Sequence, residues 1–246
     1  MISHLEFQTA CHCPTQHAFV SIEYYQKQDR ELPTMNQQNR SQLFDNWAKN
    51  YDSDVMSDKD KFPFIGYERV LERVVSLAEV KPNMRILDLG IGTGNLAARF
   101  INKGCDVWGL DFSAEMLTLT QAKLPQVNLV QANLLGDWTK ELQPPFDRVV
   151  SAYVFHEFDL GSKIKLLQQI LSHCLSTSGF ILVADIAFPD VNIRTAASQH
   201  WQWEEDEYYW AADEANTACS QAGLQVVYEQ ISSCGGVFTF TGNRAG

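Results

Sequence analysis

The stretch Ile86-Leu87-Asp88-Leu89-Gly90-Ile91-Gly92-Thr93-Gly94-Asn95 constrains the fold of this 246-residue chain more than any other. An apolar run that reads as a strand passes directly into glycines at alternate positions, and a helical pattern starts behind them. Glycine lets the backbone turn sharply there, and it lets a ligand come close where a Cβ would collide. The stretch also opens a regular alternation. Strand-like runs at Arg85–Leu89, Asp106–Leu110, Asn128–Gln131, Asp147–Ser151 and Phe180–Ala184 are separated by helical patterns near Gly94–Asn102, Ala114–Leu124 and Ser162–Leu175. Strands separated by single helices predict a parallel sheet covered on both faces.

The flanks complete the expectation. Ser113 is a natural N-cap, and Gly104, Gly179 and Gly223 read as left-handed helix ends. The aromatic and acidic segment Trp201–Trp210 reads as the amphipathic start of a last helix near Glu207–Ala222, with a lid that selects a cation as the alternative. Strands Leu224–Ile231 and Val237–Thr241 follow, joined by a short loop that suits a hairpin. The expected fold class is α/β: a mostly parallel sheet with helices on both faces and a C-terminal antiparallel hairpin. Before it, Leu43, Phe44, Trp47, Ala48 and Tyr51 recur at helical steps, and Val70, Leu71, Val74, Val75 and Ala78 form a second stripe. Residues 1–34 show no clean period and read as a weakly structured extension, which leaves 35–246 as the folded domain.

Composition narrows the function classes. With 45% hydrophobic residues, 20% charged residues and a formal charge of −11, the chain can bury a sizeable core beneath an acidic surface. Such a surface repels phosphate backbones, so nucleic acid is not expected as a partner. The longest apolar stretch, Phe180–Phe188, is interrupted by Asp185 and far short of a membrane span. The N-terminus carries no signal-peptide pattern, so a cytoplasmic location with reduced thiols is expected. The cluster His4, Cys11, His12, Cys13 and His17 lacks a second ligand pair at zinc spacing, and no metal site is expected.

Two features bear on the ligand. Asn95 stands where a dinucleotide-binding strand–turn–helix wants its third glycine, and Asp88 is an awkward neighbour for a pyrophosphate. A carboxylate at Asp88 suits a ligand carrying positive charge. The second strand ends in Asp111, which can accept from both hydroxyls of a ribose and faces the cleft rather than the core. That acid would equally serve NAD, so an NAD-linked oxidoreductase and a non-catalytic adenosyl-binding protein stay open beside a transferase.

Residues 86–100 and 107–117 (ILDLGIGTGNLAARF and VWGLDFSAEML) resemble the first two motifs of class I S-adenosylmethionine-dependent methyltransferases. The resemblance runs on through Phe146–Asp159 and the hairpin, roughly residues 40–241, and within the superfamily is nearest to its uncharacterised bacterial small-molecule branch. It implies a Rossmann-like sheet, S-adenosyl-L-methionine as cofactor and a small-molecule acceptor. Carried over by position, it implies that Gly90, Gly92 and Gly94 wrap the methionine part, with Asp88 near the amino group. Asp111 would hold the ribose, and Phe112 would pack on the adenine. Asn133 stands where relatives place an acid for the adenine amino group, with the Leu134 backbone N–H beside it. Tyr51 matches an aromatic that closes over the methyl-donor pocket in many relatives. Independently of the resemblance, His156, just past the fourth strand where open α/β sheets place substrate-facing groups, is the candidate general base, with a hydrogen-bonded structural histidine as the alternative. Oligomeric state is not legible.

Overall fold

In the computed structural model, which describes residues 37–201, 203 and 207–242, the alternation folds as one eight-stranded sheet. Strands β1 (Arg85–Leu89), β2 (Asp106–Asp111), β3 (Asn128–Gln131), β4 (Phe146–Ala152) and β5 (Leu175–Phe188) pair in parallel, in the order β3-β2-β1-β4-β5. The hairpin of β7 (Leu224–Gln230) and β8 (Gly235–Gly242) extends the sheet antiparallel, with β8 against β5. A two-residue strand, β6 (Trp210–Ala211), pairs with the end of β5. The helices are α1 (Gln37–Ser57), α2 (Tyr67–Leu77), α3 (Asn95–Ile101), α4 (Ala114–Lys123), α5 (Leu160–His173), α6 (Val191–Trp201) and α7 (Ala212–Gln221).

The core follows from which strands are covered on both faces. All but the first residue of β1, and the whole of Ile181–Phe188 in β5, are buried. One apolar cluster holds Leu87, Phe146, Phe155, Ile170 and Phe238; a second packs Val70, Leu71 and Val74 of α2 against Ile86, Val150 and Leu182; a small third joins Ile186, Phe188, Tyr209 and Cys234. The expected stripe on α2 is therefore the face it buries. From β1 the chain passes to β2 on one side and later returns to β4 on the other, so the carboxyl ends of β1 and β4 meet at a switch in strand order. In open α/β sheets ligands bind at that point.

Three sequence expectations change. Gly179 does not end a helix: it lies inside β5, which starts at Leu175, because Leu175 pairs with Phe146 across a register irregularity in β4. Leu175-Ser176-Thr177-Ser178-Gly179 has no apolar alternation, so that extension left no pattern. Helix α6 was not expected, and none of its residues is buried, which is why it carries no apolar stripe. The last helix begins at Ala212, not near Glu207, because Trp210 and Ala211 are drawn into pairing with Ala187 and Phe188. Gly104 and Gly223 do adopt positive φ, 79° and 73°. Residues 1–34, with their Cys and His cluster, lie outside the described residues.

Candidate functional site

Strand β1 delivers Asp88 to the switch point and the glycines continue from it. Gly90, Gly92 and Gly94 have φ of 68°, 52° and 81°, a region costly for side-chain-bearing residues. A Cβ on Gly90 would stand 2.4 Å from Val154 Cγ2, so glycine is what lets the β1 turn pass under the β4 turn. A Cβ on Gly92 would meet nothing within 4 Å. Glycine there leaves backbone facing open space, as a ligand cradle requires. Gly94 is the N-cap of α3.

A cleft lined by Tyr51, Tyr67, Asp88, Gly90, Ile91, Gly92, Thr93, Asn95, Leu96 and Ala152 gathers four of the expected residues, Tyr51, Asp88, Gly90 and Gly92. Asp88 is 1% exposed; its carboxylate takes the Ala97 N–H in the first turn of α3, and its Oδ2 has no hydrogen-bond partner. Burial, and then the Asp111 charge, push its carboxyl well above the usual range. Asp111 joins through the backbone: Oδ2 accepts from Gly92 N–H at 2.9 Å and Oδ1 from Ser113 N–H at 2.9 Å. Burial raises its pKa and these N–H groups oppose the rise. Asp111 is thus only 7% exposed and braces both loops, a correction to the expectation that it merely faces the cleft. Each oxygen keeps a lone pair for an outside donor.

The other adenosine-side residues do not line this cleft. Phe112 stacks edge-on against Phe44 of α1 at 5.2 Å, and Gln131 Nε2 donates to its carbonyl. Asn133 closes an Asx turn, its Oδ1 accepting from Leu135 N–H at 2.9 Å, and Leu134 is buried with its carbonyl on Trp138 Nε1. Asn at this position is therefore accounted for locally, as a turn former.

Sequence reasoning missed how α1 is fastened. Asp52 Oδ1 accepts from Thr93 Oγ1 at 2.6 Å and Asn95 Nδ2 at 2.8 Å, while Lys123 Nζ bridges Asp52 and Asn95. Two turns earlier, Asp45 Oδ1 accepts from Ser113 Oγ at 2.5 Å. Two acids seven residues apart thus bind one helix face to the loops after β1 and β2. Their spacing was legible; their targets were not.

Beyond β4, Tyr153 adopts φ 57° and the chain enters the single turn Phe155–Glu157. His156 Nδ1 lies 2.7 Å from Asp185 Oδ1 in β5, and Asp185 is fully buried. Asp185 is itself held by Trp210 Nε1 at 3.1 Å and by the Ile186 N–H at 2.9 Å. Burial alone would lower the imidazole's pKa, but the Asp185 contact, with Glu157 and Glu207, lifts it to about 9. Asp185 was visible as the one charge in an apolar strand, a signal sequence reading used only against a membrane span. His156 is not among the cleft-lining residues.

The chain matches the family described as a methyltransferase domain over residues 86–177. It is 33% identical over 150 residues to an uncharacterised methyltransferase of Alkaliphilus oremlandii, covering 60% of this chain and 68% of the relative. To one from Geobacillus thermodenitrificans it is 30% identical over 201 residues, covering 76% and 90%. Among solved structures, the DhpI–SAM–HEP complex superposes with a TM-score of 0.62 at 19% identity, covering 85% of this chain and all of that one.

Proposed function

The chain belongs to the class I S-adenosylmethionine-dependent methyltransferases, and from that premise we propose that it methylates a small-molecule nucleophile presented beside His156. The observation that carries the cofactor assignment is the glycine cradle with open space above Gly92 and an unpartnered buried oxygen on Asp88. An orphaned buried carboxylate oxygen calls for a partner that the fold does not supply. S-adenosylmethionine has an ammonium, a sulfonium and a ribose diol, so the donor set fits. Asp88 would meet the ammonium, Asp111 the ribose hydroxyls, and Gly90 and Gly92 the methionine part. Tyr51 would close the cleft from α1, and Phe112, Asn133 and Leu134 would border the adenine.

The cofactor supplies an electrophilic methyl group; the chain's own residues align, shield and deprotonate. Alignment and water exclusion account for most of the rate in a displacement of this kind. Asp185 fixes the Nδ1 side of His156, and Nε2, 3.6 Å from Glu157 Oε1, is the nitrogen that would exchange a proton with an acceptor, beside that carboxylate. As a base, His156 works in its neutral form, so its share of the rate grows as pH rises toward about 9. An acidic surface of net charge −11 disfavours nucleic acid and leaves a small acceptor as the reading.

The test is transfer of labelled methyl from S-adenosylmethionine to panels of small thiols, amines, phenols and carbon acids, with protein and RNA as competing acceptors. Label in a small-molecule product is expected. Label only in macromolecules contradicts the reading.

A further inference from the structure

Asp88 is the buried acid whose second oxygen the fold leaves unused. Its carboxylate caps α3 through Ala97 N–H, while Oδ2 is without a partner in the cleft. The titratable groups facing it are Asp111 from β2, Tyr51 from α1 and Tyr67 from α2; no Lys, Arg or His lines the cleft among the described residues. Lys123, near the rim, is committed to Asp52 and Asn95. Two neighbouring buried carboxyls with no cation between them do not both ionise. Asp111 has N–H groups of Gly92, Phe112 and Ser113 to hold its charge, and Asp88 has only that of Ala97. The proton belongs on Asp88.

We propose that Asp88 is protonated in the ligand-free protein and loses its proton when the cofactor's ammonium enters, making binding a cation-for-proton exchange that selects amino-acid-bearing ligands. This rests on the cofactor assignment above. The proton leaves the Asp88 carboxyl for solvent, and the ammonium replaces it as the positive partner. Asp88 is otherwise unchanged. Because the free protein holds the proton more tightly than the complex, affinity rises with pH until Asp88 is ionised in both, by up to tenfold per unit. Ligand-free stability runs the other way. An acid whose folded pKa is raised weakens the fold as pH climbs from its unfolded value through the folded one.

The experiment is calorimetric titration of the full chain with S-adenosylhomocysteine at about pH 6, where the ligand's amino group is charged. Two buffers of different ionisation enthalpy count the protons released. Net release is expected, falling toward zero as pH is raised. Methylthioadenosine, which lacks the ammonium, is expected to bind without release. Asp88→Asn keeps an oxygen for Ala97 and should abolish release while leaving the ligand-free melting temperature unchanged or higher. Binding of S-adenosylhomocysteine with equal heats in both buffers overturns the exchange and leaves the cofactor assignment standing. Absence of any binding overturns both.

Discussion

At the scale of single residues, the site is built from acids with distinct partners. Asp111 spends both oxygens on backbone N–H groups, so its removal leaves Gly92 and Ser113 N–H groups without acceptors. Asp111→Ala should destabilise the ligand-free protein by roughly 1–3 kcal/mol, the scale of a buried unsatisfied donor. Denaturant melts of the two proteins measure it, and coincident melts would mean the loops are held by something else. His156 gives a pH test with a definite sign. Its folded pKa of about 9 exceeds the ordinary 6.5, so its pairing with Asp185 stabilises fully below about 6.5 and is lost as pH rises through 9. Asp185→Asn should flatten that decline and bring the His156 titration, followed by NMR, down toward the ordinary value. A titration unmoved by the substitution would break the pairing. With the acceptor in hand, His156→Ala should lower turnover by about 10²–10⁴ at unchanged cofactor affinity. The sequence showed which residue types stand at strand ends. It did not show that Asp185, 29 positions after His156, shares its proton, because that contact exists only once β4 and β5 pair.

Among the elements, α1 decides access. Held by Asp45 and Asp52, it leaves a cleft of about 30 Å³, room for little more than water. Entry of a nucleoside-sized ligand is therefore expected to move α1, with Tyr51, outward before it reseats. Hydrogen exchange should show α1 amides gaining protection on adding S-adenosylhomocysteine, and equal exchange with and without ligand would exclude that motion. Asp52→Ala should cost under about 1 kcal/mol of stability, since the side chain is half exposed and such pairs are weak. It should nevertheless weaken cofactor binding severalfold, because Thr93 and Asn95 lose their anchor. Elements with an apolar face, such as α2, were legible in the sequence because burial imposes a period. Elements without one were not: α6 buries no residue fully and packs only Ala197 and Trp201 partly against the core, and the start of β5 is a run of Ser, Thr and Gly.

For the molecule as a whole, the strand order brings the β1 glycines, the β2 acid and the β4 turn to one sheet edge, so the proposed cofactor and acceptor sides would adjoin. Apart from Phe44, Ile186, Glu207 and the Trp210 anchor, the residues placed at the site lie between Asp45 and Asp185. A protein beginning at Met35 is accordingly expected to melt and bind cofactor like the full chain; a large loss in either would give residues 1–34 a role. The most direct test of the central claim, that the glycine cleft holds an adenosyl cofactor on Asp111, is one set of titrations. S-adenosylhomocysteine and NAD are each added to the native protein and to Asp111→Ala. Saturable S-adenosylhomocysteine binding to the native protein is expected, at least tenfold weaker in the variant for the loss of charged hydrogen bonds of about 1.5–3 kcal/mol each, with no comparable binding of NAD. Equal S-adenosylhomocysteine affinity for the native protein and a folded Asp111→Ala, or preference for NAD, would contradict it.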